Sequence, residues 1–131
     1  TPFEHRLISE ELAACQRYFQ KQSASGGSVY ERFAMGFSNT STNFNAIIPI
    51  QTPMRAAPAL GHNGTMAHYH IYHNAGTTTP LTGISIDANA DGGSKQVGVN
   101  ATVSSGLVAG GAGMLNANNN ATAFISLDAE L

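Results

Sequence analysis

The segment QVGVNATV, residues 96–103, carries an apolar side chain at every second position: Val97, Val99, Ala101 and Val103. A backbone that sends successive side chains to opposite faces puts all four on one side, so the segment reads as a strand with one buried face. This period of two recurs along most of the chain and limits what it can fold into. SVYERFAMGF at 28–37 sets Val29, Glu31, Phe33 and Met35 against Tyr30, Arg32 and Ala34. FNAIIPI follows a Ser/Thr/Asn turn, and Pro49 and Pro53 confine it to a sheet edge or to strand ends. MRAAPAL reads as an extended crossing segment, MAHYHIYH as an aromatic strand, AGTTTPLTG as a turn region, and ISIDAN as a strand with Ile84 and Ile86 on one face. DGGSK at 91–95 predicts a hairpin, because glycine supplies the positive φ angles such turns need. SSGLVAGGAGM and NANNN mark turns or small-residue strands, and ATAFISLDAEL closes the chain with Phe124 alternating with Ile125 and Leu127. Seven or eight short strands at near-regular spacing predict a mainly β fold, an antiparallel β-sandwich of jelly-roll type.

One segment breaks the period. In ISEELAACQRYFQK, residues 8–21, Ile8, Leu12, Cys15 and Phe19 stack on one helical face while Glu10, Glu11, Arg17 and Lys21 stay outside. Ser9 can cap its first turn, and SASGG at 23–27 ends it. The pattern predicts one short N-terminal helix that lays its apolar face on the core as a lid, with Cys15 an inert buried thiol. No linker or repeat divides the chain. The reading is a single β-sandwich domain over residues 1–131, helix at 8–21 and strands across 28–131. Its start at Thr1 rather than Met suggests the C-terminal part of a longer chain.

Charge and cysteine content narrow the partners. Only 11% of residues are charged and the formal net charge is -2, with no Lys/Arg cluster, so the footprint of a nucleic-acid binder or a polybasic membrane anchor is missing. No apolar run approaches the roughly 20 residues of a membrane-spanning helix. Cys15 is the single cysteine and cannot form an internal disulfide.

TPFEHR with SEELAACQRYFQK at the start, PMRAAPAL in the middle and ATAFISLDAEL at the end together resemble a C-terminal domain of tail-fibre, receptor-binding and other minor structural proteins of tailed bacteriophages. That family shows a TPFE-R entry, an E-L-A-x-C-Q-R-Y segment, an M-R-A-x-P element and a terminal D/S-A-E-L. The likeness spreads over residues 1–131, though the middle third shares only turns and alternation. It implies a jelly-roll sandwich, usually a homotrimer, on the exterior of a virion, and it carries over no catalytic residue.

HNGTMAHYHIYH holds four of the five histidines, His62, His68, His70 and His73. On a strand, His68, His70 and Tyr72 would share one face and Tyr69, Ile71 and His73 the other. Tyr69 and Tyr72 offer ring faces suited to stacking on a pyranose, and Asn63 and Asn74 offer amides for its hydroxyls. Asn63, His68, Tyr69, His70, Tyr72, His73 and Asn74 are therefore the candidate contacts to a ligand or a neighbouring subunit. His68 and His70 could both reach one ion, and a trimer would supply six imidazoles. With no carboxylate or cysteine beside them in sequence, contact is favoured over metal, and no cofactor is assigned. DANADGG, with Asp87 and Asp91, has part of a calcium loop but lacks its distal Glu, so a plain turn is favoured. The eight acids show no paired spacing and Ser9 and Cys15 no neighbouring base, so no enzyme is predicted. Ala109, Gly110, Ala112 and Ala117 form a small uncharged set suited to close subunit packing. The expected function is attachment to a host-surface glycan or protein from a virion surface. Capsid decoration, clamping neighbouring subunits as a cement protein, is the alternative, and glycan degradation is disfavoured at this length.

Overall fold

The computed structural model describes residues 7–24, 29–87 and 96–130. Among them are one α-helix, α1 (Ile8–Gln16), and nine strands: β1 (Phe19–Ser23), β2 (Arg32–Ser38), β3 (Asn43–Pro49), β4 (Ala59–His62), β5 (Tyr69–His73), β6 (Thr77–Ile86), β7 (Gln96–Val103), β8 (Ala112–Ala117) and β9 (Phe124–Asp128). Every strand pairing is antiparallel. The mainly β class with one short N-terminal helix is as the period of two predicts.

The layout of the sheets differs from two facing layers. Six strands close into a barrel in the order β2-β3-β7-β6-β5-β8, with β8 pairing back onto β2, and β1-β9-β4 form a separate three-stranded sheet. A closed barrel leaves no free strand edge, and its interior takes one side-chain face from every strand. Val97, Val99, Ala101 and Val103 of β7 fill it as expected, beside Phe44, Ala46 and Ile48 of β3, Ile71 of β5 and Leu115 of β8. Full burial of each valine or isoleucine contributes about 1.5–3 kcal/mol. A barrel of this size has little room, and a glycine pair supplies it: Gly36 and Gly113 lie directly across from each other on β2 and β8. A Cβ on Gly113 would sit 3.0 Å from the Phe44 ring, and one on Gly36 would collide with the Asn45 carbonyl.

The three-stranded sheet joins the same hydrophobic cluster through Ile125, Leu127 and Ala129, with Leu60, Met54 and Ala24 packed alongside. Tyr69 ties the two parts. Its hydroxyl donates to the Phe124 carbonyl (2.7 Å) and accepts from the backbone N–H groups of Asn63 (3.1 Å) and Phe124 (3.2 Å).

Three local expectations are corrected. The helix stops at Gln16, not Lys21, because residues 19–23 pair with β9, Phe19 opposite Asp128 and Gln22 opposite Ile125. A neighbouring strand outweighs a weak helical preference. The turn at Arg17–Tyr18 swings α1 off the core, so no residue of α1 is buried: Ile8, Leu12 and Cys15 are all exposed, and neither the lid over the core nor the burial of the Cys15 thiol holds. AGTTTPLTG is not a turn: Thr77–Ile86 is one strand that pairs with β5 up to Pro80 and with β7 from Leu81. Pro80 is tolerated where the strand changes neighbours, since only one side there needs hydrogen bonds. The alternation in β2 also slips. The register shifts between Arg32 and Ala34, so Phe33 and Ala34 are both buried and Met35 and Phe37 turn outward. One extra residue in a strand exchanges the faces of everything after it. The predicted hairpin DGGSK and Asp91 of the calcium-like run lie outside the described residues.

Candidate functional site

Segment 62–74 does not form a single strand. Met66–His68 is a 3-10 turn, β5 covers Tyr69–His73, and Asn74–Gly76 is another 3-10 turn entered through a positive φ of 43° at Asn74. The seven candidate contacts are thereby dispersed. Tyr69 and His73 point into the barrel, at 1% and 3% exposure, and cannot meet a sugar or a second subunit. His70 and Tyr72 point outward, but His70 is only 4% exposed, its ring centroid 6.3 Å from that of Tyr30. Only Tyr72 and Asn74 of the five candidates from Tyr69 onward stand open to solvent.

Asn63 and His68 belong to a polar cluster on the 62–65 turn. The Thr65 N–H donates to Asn63 Oδ1 (3.1 Å), which fixes the amide so that Asn63 Nδ2 donates to His68 Nδ1 (2.8 Å) and to Thr122 Oγ1 (3.3 Å). The Gly64 N–H likewise donates to His62 Nδ1 (3.0 Å). In a neutral ring whose Nδ1 accepts, the hydrogen resides on Nε2. A metal needs a free lone pair on one of the two ring nitrogens, and with Nδ1 accepting from Asn63 and Nε2 carrying the hydrogen His68 offers none. It also lies on the turn before β5 rather than on one strand face with His70, and the described residues contain no group of three or more His, Cys, Asp or Glu able to hold an ion.

His73 is structural. Its Nε2 is bonded to Thr79 Oγ1 (2.8 Å) inside the barrel, while its Nδ1 is buried with no partner. His70 Nδ1 and Asn116 Oδ1 are also buried without partners, on residues directly opposite each other in β5 and β8.

The surface that stands out lies mostly on strands where the periodicity singled out no site. On the outer wall of the barrel, Met35 lies between Ile47 of β3 and Met114 of β8, Met114 lies beside Tyr72 of β5, and Phe37 lies opposite Ala112. Met35 is 68% exposed, Phe37 52%, Ile47 47% and Tyr72 39%. At roughly 150–250 Å² per large side chain, these four leave on the order of 400 Å² of apolar surface in one place, the size of the largest patch on a typical monomer, which is often functional. No charged side chain interrupts this row, and Arg32 borders it. Of the earlier candidates, Tyr72 belongs to the patch and Asn74 adjoins it. The small set is split, since Ala112 is exposed on this wall whereas Ala117 is wholly buried. Two signals could have located the patch: RFAMGF is apolar on both parities, and the adjacent Ile47 and Ile48 cannot both face inward.

No known family, curated protein or solved structure matches this chain.

Proposed function

We propose that this chain is a non-catalytic surface domain of a tailed-bacteriophage virion, assembled as a homotrimer through the apolar wall of its barrel and serving attachment to a host-surface glycan or protein. The observation that carries the assembly is the row of Ile47, Met35, Tyr72 and Phe37 left open to water around the half-buried Met114 on an otherwise ordinary barrel. Natural chains rarely leave four large apolar side chains adjoining unless another surface covers them. A second copy is the simplest cover: the wall is uncharged, so copies do not repel one another, and closed symmetry is the rule for assemblies of identical chains. The strand order supports the jelly-roll reading. β1 pairs with β9, β2 with β8 and β3 with β7, a nested set of long-range pairings of the kind a jelly roll uses, alongside the β2–β3 and β4–β9 pairings. The terminal motifs TPFEHR, SEELAACQRYFQK and ATAFISLDAEL support the phage context by resemblance.

Light scattering on the purified chain tests the assembly. Wild type is expected at three times its 13.6 kDa chain mass, and a Met35→Asp, Phe37→Asp double variant at the single-chain mass with an unchanged circular-dichroism spectrum. A monomeric wild type, or a trimer indifferent to two buried carboxylates, overturns the assignment of this face.

A further inference from the structure

We infer that helix α1 of one copy docks on the apolar wall of the next, so that each copy gives an arm and receives one. This rests on the trimer reading and names the surface that covers the wall. In a ring of three identical chains each copy meets its neighbour through two different parts of its surface. The wall is one part. Among the described residues, exposed large apolar side chains gather at one other place: Leu7, Ile8 and Leu12 at α1, with Tyr18 and Phe19 just after it. Leu7, Ile8 and Leu12 are 66%, 84% and 55% exposed, so the helix offers an apolar area comparable to that of the wall.

The arm is anchored at its base. Gln16 Oε1 accepts from Thr52 Oγ1 (3.0 Å), and the Arg17 carbonyl accepts from the Arg55 N–H (3.0 Å). Gln20 Nε2 donates to the carbonyls of Gln16 (3.0 Å) and Thr52 (2.8 Å), which joins the end of the helix to the same segment, 52–55. Phe19, two residues beyond Arg17, is already paired with Asp128. The helix therefore cannot turn to cover the wall of its own chain without breaking these bonds. It is held in place for another chain, and such preorganisation reduces the entropy lost on docking.

Dimensions and charge match. Ile47, Met35, Met114 and Tyr72 lie in direct register across β3, β2, β8 and β5, a row three strand spacings or about 14–15 Å long. Nine helical residues span about 13–14 Å, so α1 laid across these strands covers the row from end to end. Ile8 and Leu12, one turn apart, then face a groove of about 630 Å³ lined by Met35, Ile47, Pro49 and Ala112. The only charges within α1 are Glu10 and Glu11, and the one charged residue lining the groove is Arg32. An acidic arm is drawn to a wall edged by an arginine, whereas two arms or two walls gain no such pairing. In a ring every copy buries both patches, on the order of 800 Å² per copy, as much as one side of a standard interface.

Complementation between two variants tests this. Ile8→Glu with Leu12→Glu puts strong helix formers on a helix that buries nothing, so light scattering should give the single-chain mass with an unchanged circular-dichroism spectrum. That helix variant keeps its wall, and the Met35→Asp, Phe37→Asp wall variant keeps its helix. Titrating the isotope-labelled helix variant with the unlabelled wall variant should shift its NMR amide signals at residues 34–36, 46–48 and 112–114, and the reverse labelling those at 8–15. A chain carrying all four substitutions should bind either partner about tenfold more weakly. A helix variant that keeps the wild-type trimer, or two monomeric variants that leave each other's spectra unchanged while wild type is trimeric, overturns the docking of α1 and leaves the trimer standing. Wild type that grows into open chains instead of stopping at three, with variants that still complement, removes the trimer and leaves the docking, because a head-to-tail contact that does not close propagates. A wild type that stays monomeric overturns both.

Discussion

Replacing Tyr69 by Phe is the sharpest test of how the barrel and the three-stranded sheet are held together. The ring stays in the core, where it lies 5.9 Å from Phe33 between centroids, so packing changes little. What disappears is one oxygen with three partners: the Asn63 N–H, the Phe124 N–H and the Phe124 carbonyl. A polar group deprived of its partner away from water costs about 1–3 kcal/mol, and because these bonds are only partly buried the lower figure applies to each N–H. The pair then loses about 2–3 kcal/mol, a large share of the 5–15 kcal/mol typical of a domain. At this chain length the melting temperature should fall by about 6–15 °C, measured at one fixed protomer concentration because assembly also shifts it. Amide exchange at Phe124 should accelerate alongside. Tyr72→Phe, which alters an outward-facing hydroxyl, is the control and should stay within about 0.5 kcal/mol of wild type. If Tyr69→Phe melts within about 2 °C of wild type, the hydroxyl is not the tie described here.

Two other substitutions probe the barrel wall. Gly36→Ala pushes a methyl group into the Asn45 carbonyl and to 2.6 Å from Ala46 Cα, so β2 and β3 must part; the urea midpoint should drop by the equivalent of about 3 kcal/mol or more. Thr79→Val removes the only hydrogen-bond partner of the His73 ring among the described residues and should cost about 1–3 kcal/mol in the same measurement, whereas Thr79→Ser, which keeps the oxygen, should recover most of it.

Where one face is simply buried, the sequence was a faithful guide. Val97, Val99, Ala101 and Val103 are all inside, Ile125 and Leu127 likewise, and Pro49 does end its strand. Barrel closure was not legible, because it depends on β8 reaching both β2 and β5, and alternation says which side of a strand is buried but not which strand lies next to it. The bulge at Arg32–Ala34 was invisible for a related reason: a single inserted residue leaves local composition unchanged while reversing Met35 and Phe37. That reversal hid the apolar wall. Ile8, Leu12 and Cys15 do lie in α1 while Phe19 belongs to β1, and periodicity cannot say what a helical face packs against: here none of the helix is buried. Among the site candidates, aromatic and imidazole content drew attention to segment 62–74. Tyr69, His70 and His73 proved to be enclosed, and the exposed surface lay mostly on strands that looked ordinary.

The pairing of strands far apart in sequence has a bearing on how the chain is made. β1 emerges from the ribosome well before β9, its only strand partner among the described residues, and β4 also waits for β9, the central strand of its sheet. Pairings this distant in sequence form slowly, since a long loop must close before any contact rewards it. Until Phe124–Asp128 is synthesised, Phe19–Ser23 and Ala59–His62 lack the strand they pair with, so a nascent chain stalled before Phe124 would expose two unpaired strand edges and depend on chaperones to keep them apart.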